Sequence, residues 1–110
     1  MLKATPYAIV KSLIGTGNPL FIEVGSKTCK SCRIMGKMLY NTKQDRPTLP
    51  LYFVDARKER NVVKELKIIM IPTQLIFDAK GKEVFRHIGL LDKDKLDEVL
   101  TKYQVNRERE

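Results

Sequence analysis

Cys29 and Cys32 stand three positions apart in Thr28-Cys29-Lys30-Ser31-Cys32 and are the two cysteines of the chain. A C-x-x-C pair serves three chemistries: thiol–disulfide exchange, a zinc site, and capture of soft Cu(I). A structural zinc site needs four ligands, commonly two such pairs. Here there is no second pair, and the single histidine, His87, lies more than fifty residues away. No zinc site is therefore expected within this chain, and no residue is assigned as a metal ligand. A disulfide scaffold uses more cysteines, placed far apart to close loops, whereas this spacing closes almost nothing. The pair reads as chemistry rather than architecture.

A nucleophilic thiol must be a thiolate at working pH, and free cysteine is mostly protonated there. Cys29 falls between a strand–turn and a helix, where unpaired N–H groups favour an anion. Lys27, Lys30 and Arg33 are expected to add positive charge. Cys32 comes about one helical turn later, within bonding reach. Cys29 would attack a partner disulfide, and Cys32 would then resolve the mixed disulfide.

The elements that must hold this pair can be read from apolar spacing. Thr5-Pro6 is a helix start, with Thr5 as N-cap, and Ile9, Val10, Leu13 and Ile14 form its inner face. Leu20 to Val24 reads as a buried strand that contains Glu23. A helix is expected from Cys29 or Lys30 to about Thr42, with Ile34, Met35, Met38 and Leu39 inward. Leu51 to Asp55 is a second strand, and Lys58 to Lys67 an amphipathic helix. Gln74 to Phe77 and Glu83 to Ile88 are strands joined by the turn Asp78-Ala79-Lys80-Gly81. Asp92 caps a last helix carrying Leu96, Val99, Leu100 and Tyr103. Helices alternating with strands before a closing hairpin imply a mixed α/β sheet covered on both faces.

The 110 residues fit one domain over 1–110, with a core of about 5–104 and a charged tail at 105–110. Hydrophobic residues make up 43%, enough for one compact core. Lys and Arg number 21 against 13 Asp and Glu, a net charge of +8. The basic residues are interleaved with acids and no Trp is present, so a solvated surface is expected and nucleic-acid binding is not. No signal peptide is read at the start, which favours the cytoplasm; the alternative is an extracytoplasmic protein whose signal or anchor lies upstream of this sequence.

The arrangement resembles the thioredoxin superfamily over about residues 5 to 104. Three features carry the match together. They are Leu20-Phe21-Ile22-Glu23-Val24 leading into the cysteine pair, Ile71-Pro72-Thr73 with its proline 43 positions after Cys29, and the hairpin leading to Gly89 and a terminal helix. The resemblance implies an α/β thioredoxin fold, a central mixed sheet of four or five strands flanked by about four helices. It implies a cis Pro72 facing the cysteines and Ile71 offering its backbone to an extended substrate. Lys30 and Ser31 are expected to meet substrate and to tune the redox potential. Glu23 matches a buried acid that moves the proton of the second cysteine, and burial should raise its pKa.

The departures point to a specialised thioredoxin-like protein. Lys30-Ser31 replaces the family's Gly-Pro, Lys37 replaces a helix-kinking proline, and Leu51 stands where many members carry a Lys near the buried acid. The implied activity is reduction of protein disulfides through a Cys29–Cys32 couple, with no cofactor beyond that redox-active disulfide. Implied partners are disulfide-containing client proteins and a thiol or flavin reductase or membrane electron donor, with the chain acting as a monomer. The alternatives are a thioredoxin-like interaction module without catalysis and a Cu(I) carrier using the same pair.

Overall fold

A computed structural model describes residues 1–106. Its elements run α1 (Tyr7–Leu13), β1 (Leu20–Gly25), α2 (Lys30–Asp45), β2 (Leu51–Asp55), α3 (Asn61–Glu65), β3 (Thr73–Phe77), β4 (Glu83–Ile88) and α4 (Lys93–Lys102). Among the described residues the sheet has four strands in the order β2-β1-β3-β4. The expected range of four or five thus resolves at four. Of the expected charged tail, residues 107–110 lie outside the described residues.

β1 runs through the middle, parallel to β2 and antiparallel to β3, and β4 completes the hairpin. Side chains alternate across a strand, so β1 serves two cores. Leu20, Ile22 and Val24 pack with Tyr7 and Val10 of α1 and with Val62 of α3. Phe21 packs on the other face with Met35 and Leu39 of α2 and Leu96, Val99 and Leu100 of α4. Being covered on both faces explains why β1 is buried throughout, Glu23 included.

Three local expectations are corrected. Thr5 does not cap α1: the N-cap is Pro6, and no side chain of the cap bonds the helix. The Glu59 carboxylate does so from 52 residues away, accepting from Tyr7 N at 3.2 and 3.0 Å. The inner faces are also narrower than the apolar spacing suggests. Ile9 and Ile34 are exposed, and Tyr7 takes the buried place on α1, while Gly36 and Thr42 join the buried stripe of α2. The helix expected over Lys58 to Lys67 shrinks to α3. Its early part is a turn, because Asp55 Oδ1 accepts from Arg57 N at 3.0 Å and Lys58 N at 3.4 Å. Its end is closed by Lys67 in the left-handed region, φ 55°, with Ile68 N donating to Val63 O. Asp92 caps α4 as expected, accepting from Lys95 N at 2.8 Å.

Candidate active site

β1 ends at Gly25, and a short turn delivers the chain to α2. Ser26 Oγ organises that turn, accepting from Thr28 N at 3.1 Å and pairing with Thr28 Oγ1 at 2.9 Å. Cys29 is then the N-cap of α2, with extended backbone (φ −89°, ψ 124°). Its sulfur takes the role that a Ser or Asp oxygen usually plays: Cys32 N donates to Cys29 Sγ at 3.4 Å. Ser31 Oγ lies 3.4 Å from the same sulfur. Helix N–H groups and one hydroxyl thus converge on Cys29 Sγ.

The two thiols differ sharply. Both are free, Cys29 half-buried and Cys32 fully buried. Burial works against a Cys29 thiolate, but hydrogen bonds from the side chains and backbone N–H groups of Cys32 and Ser31 outweigh it and lower its pKa. The cations expected to do this, Lys27, Lys30 and Arg33, are exposed to solvent, and they are not what lowers it. Burial, then the hydrogen bond with Cys29, pushes the Cys32 thiol up to about 12. One sulfur is set up as nucleophile and the other as a protected thiol.

Glu23 lies two residues before Gly25 on the same strand and hence on the same face. A Cβ placed on Gly25 would lie 3.0 Å from Cys32 Sγ, so the bare glycine makes room for the buried sulfur. Glu23 is fully buried, and its pKa is raised to about 8, chiefly by burial, with the Gln74 bond opposing and the Cys29 charge adding. Its Oε1 accepts from Gln74 Nε2 at 3.0 Å. Among the described residues its Oε2 is the buried side-chain oxygen without a hydrogen-bond partner. The charge of Glu23 in turn raises the Cys32 pKa, so the carboxyl and the buried thiol titrate in each other's field.

The Ile71–Pro72 bond is cis, as the resemblance implies. Register places it: Thr73 of β3 pairs with Val24 of β1, so Pro72 falls at the end of the sheet from which the cysteine turn departs. Thr73 also pairs with Ile88, which brings Gly89 and Leu90 to that end. Gly89 N donates to Pro72 O at 2.8 Å, and Leu91 N to Met35 Sδ at 3.3 Å, tying this segment to β3 and to α2. Exposed apolar side chains gather on the same segments, with Ile69 83% and Met70 61% exposed and Leu90 beyond them. Lys30 is exposed at the first turn of α2, and Ser31 is half-buried beside Cys29.

Sequence reasoning missed Gln74, Gly25 and the exposed residues before Pro72. A polar residue amid apolar neighbours, in Thr73-Gln74-Leu75-Ile76-Phe77, was the available sign for Gln74, as it was for Glu23.

The family described as the thioredoxin-like domain matches residues 7–104. The thioredoxin of Mycoplasmoides gallisepticum is 28% identical over 100 residues, covering 91% of this chain and 99% of its own. That of Chlamydia trachomatis is 28% identical over 85 residues, covering 77% and 82%. Among solved structures, Fasciola hepatica thioredoxin superposes with a TM-score of 0.78 at 22% identity, over 94% of this chain and 99% of that one. A thioredoxin mutant from Halobacterium salinarum reaches 0.75 at 13% identity, over 99% and 93%. The fold, the C-x-x-C pair at a helix start and the family match agree, and the chain belongs to the thioredoxin-like proteins, thiol–disulfide oxidoreductases of the thioredoxin superfamily.

Proposed function

We propose that the protein reduces disulfides of client proteins through a Cys29–Cys32 couple, with Glu23 carrying the proton of Cys32. The observation that carries this reading is the asymmetry of the pair: a half-buried Cys29 held as acceptor by Cys32 N, and a fully buried Cys32 with its pKa pushed to about 12.

The Cys29 thiolate attacks one sulfur of the client disulfide. That S–S bond breaks, a Cys29–client bond forms, and the other client sulfur leaves as a thiolate that takes a proton from water. Cys32 passes its proton to the Glu23 carboxylate, and its sulfur attacks Cys29 Sγ. The Cys29–Cys32 bond forms, the Cys29–client bond breaks, and the second client sulfur leaves as a thiolate that takes a proton from water. Two electrons have moved to the client, and a thiol or flavin reductase or a membrane electron donor returns them. A thiol that titrates near 12 cannot attack at neutral pH unless a neighbouring base takes its proton; in the mixed disulfide the Cys29 charge that helps to raise both Glu23 and Cys32 is gone, which favours the Glu23 carboxylate as that base.

Half-buried Ile71, joined by the cis bond to the buried Pro72, supplies backbone to the client, with Lys30 and Ser31 meeting it from α2. The exposed Ile69, Met70 and Leu90 suit an unfolded or extended polypeptide. The reading includes a monomer acting in the cytoplasm, where clients are kept reduced. Among the described residues no helix is long and apolar enough to cross a membrane.

Cys29→Ser should abolish reduction of a model protein disulfide, and Cys32→Ser should accumulate mixed disulfides visible on non-reducing gels. Full turnover by Cys29→Ser would overturn the mechanism. Titration in graded dithiothreitol buffers should show one two-electron transition at a reducing potential.

A further inference from the structure

Glu23, Gln74 and His87 face one another directly across three neighbouring strands. Register pairs Glu23 of β1 with Gln74 of β3, and Gln74 with His87 of β4. Their side chains form a hydrogen-bonded row on the face that α2 and α4 cover. Gln74 Nε2 donates to Glu23 Oε1 at 3.0 Å and to Gly89 O at 2.9 Å. Gln74 Oε1 and His87 Nδ1 lie 2.7 Å apart. Both Nε2 hydrogens are committed, so Oε1 can only accept and His87 Nδ1 carries the hydrogen. The amide of Gln74 is therefore pinned at both ends, by Gly89 O and by His87.

We propose that Gln74 and His87 are positioning residues for the Glu23 carboxyl: the pinned amide always presents a donor to Oε1, which holds the carboxyl in one orientation and leaves Oε2 as the atom that gains and loses the proton. The bearing of this on exchange rests on the reading of Glu23 as proton carrier; the positioning itself does not.

The chemistry follows from the amide's two ends. A donor at Oε1 favours the carboxylate over the acid. A reversed amide would present Oε1, which can bond the protonated carboxyl but repels the carboxylate. Gly89 O opposes that reversal, since two acceptor oxygens would then face each other, and His87 adds to it by donating from Nδ1 to Oε1, a bond that the reversed amide would lose. Oε2, without a partner of its own, is left for a mobile proton. The other groups around Glu23 are few. Cys29 and Cys32 act on it electrostatically from the turn and from α2, β2 presents Phe53 opposite it, and α4 turns Leu96, Val99 and Leu100 to this face. β2 also turns the buried Asp55 to this face, two residues beyond Phe53, where it accepts from Arg57 N and Lys58 N of its own turn, so Gln74, itself held by His87, is the side chain that bonds the carboxyl from the sheet.

The test is the protonation midpoint of Glu23, read by carbon NMR of the full chain labelled at the glutamate carboxyl and assigned with Glu23→Gln. Gln74→Leu should raise the midpoint by about half a unit to one unit, the effect of losing one hydrogen bond to the ionised form. His87→Leu, a change on a half-buried strand position, should raise it in the same direction by less. His87→Asn should restore it, because the Asn amide can place a donor where Nδ1 stands. A midpoint unmoved or lowered in Gln74→Leu overturns the proposal. One that moves in Gln74→Leu but not in His87→Leu, or that moves equally in His87→Leu and His87→Asn, overturns the part given to His87. The pH profile of disulfide reduction separates this from the proton-carrier reading. If Glu23→Gln leaves that profile unchanged, the carrier reading fails while the NMR midpoints still decide the positioning.

Discussion

Gly25 and Cys32 approach so closely that a Cβ on the glycine would lie 3.0 Å from Cys32 Sγ and 3.2 Å from Cys32 Cβ. The last residue of β1 and the first buried residue of α2 are packed backbone to sulfur. This contact sets how deep the second thiol sits and how near it comes to Glu23, two residues back on the same face. Gly25→Ala should therefore displace the sulfur by a few tenths of an ångström. We expect a loss of about 1–3 kcal/mol in urea unfolding, the usual cost of overpacking. We also expect the mixed disulfide with a client to live longer, because resolution by Cys32 slows more than attack by Cys29. Unchanged stability together with unchanged resolution would show that the contact is slack.

Glu23 makes stability depend on pH. In the folded chain it titrates at about 8, against 4.5 ordinarily. Between those values the folded state keeps a proton that the unfolded state has released, so rising pH favours unfolding. The stabilisation is complete below the lower value and lost above the higher. Glu23→Gln is neutral throughout. Its stability relative to wild type should rise by about 3–5 kcal/mol between these limits and then level off. Urea titrations at several pH values check this, and a gap that stays constant with pH would refute it.

Ser31 acts on the Cys29 sulfur from 3.4 Å. Ser31→Ala removes that hydroxyl but leaves Cys32 N in place. The Cys29 pKa should move upward, because one of the donors that favour its thiolate is gone. Alkylation of Cys29 by iodoacetamide as a function of pH reads this directly, with the midpoint moving upward. Cys32 should stay unmodified in the folded protein in both forms.

α1 depends on a distant cap. Glu59→Ala removes the carboxylate that accepts from Tyr7 N and should cost about 1 kcal/mol. Thr5→Ala, which by sequence would look like the loss of an N-cap, should stay within about 0.5 kcal/mol. Denaturant midpoints of the two variants distinguish a tertiary cap from a local one.

Much of this architecture was legible from the residues alone, for a local reason. The apolar runs at 20–24, 51–55 and 74–77 determine strands, and Asp92 caps its helix with a donor three residues away, so neither depends on a distant partner. Glu23 inside an apolar run, together with the resemblance to a family that buries an acid there, points to a buried carboxyl, and the fold decided its burial. Cys29-Lys30-Ser31-Cys32 at the junction of strand and helix is legible as a nucleophile followed by a resolving thiol, the roles proposed for them above. The strand leading into the cysteine pair, Ile71-Pro72-Thr73 and the closing hairpin carry the resemblance to the family only together. What only the tertiary structure decided depends on register and on desolvation, which no short window contains. Gln74 meets Glu23 across 51 positions because β3 pairs with β1 in one register, and a slip of one residue would turn it to the other face. Glu59 finds Tyr7 only after α1 and α3 have packed on the same side of the sheet. The cations around Cys29 looked like its stabilisers in the sequence, yet they point into water, where their charges are screened, while short-range N–H and O–H donors lower its pKa. Ile9 and Ile34 have the right spacing for a core, but each helix meets the sheet along a narrower stripe than its apolar residues fill, and the excess remains at the surface.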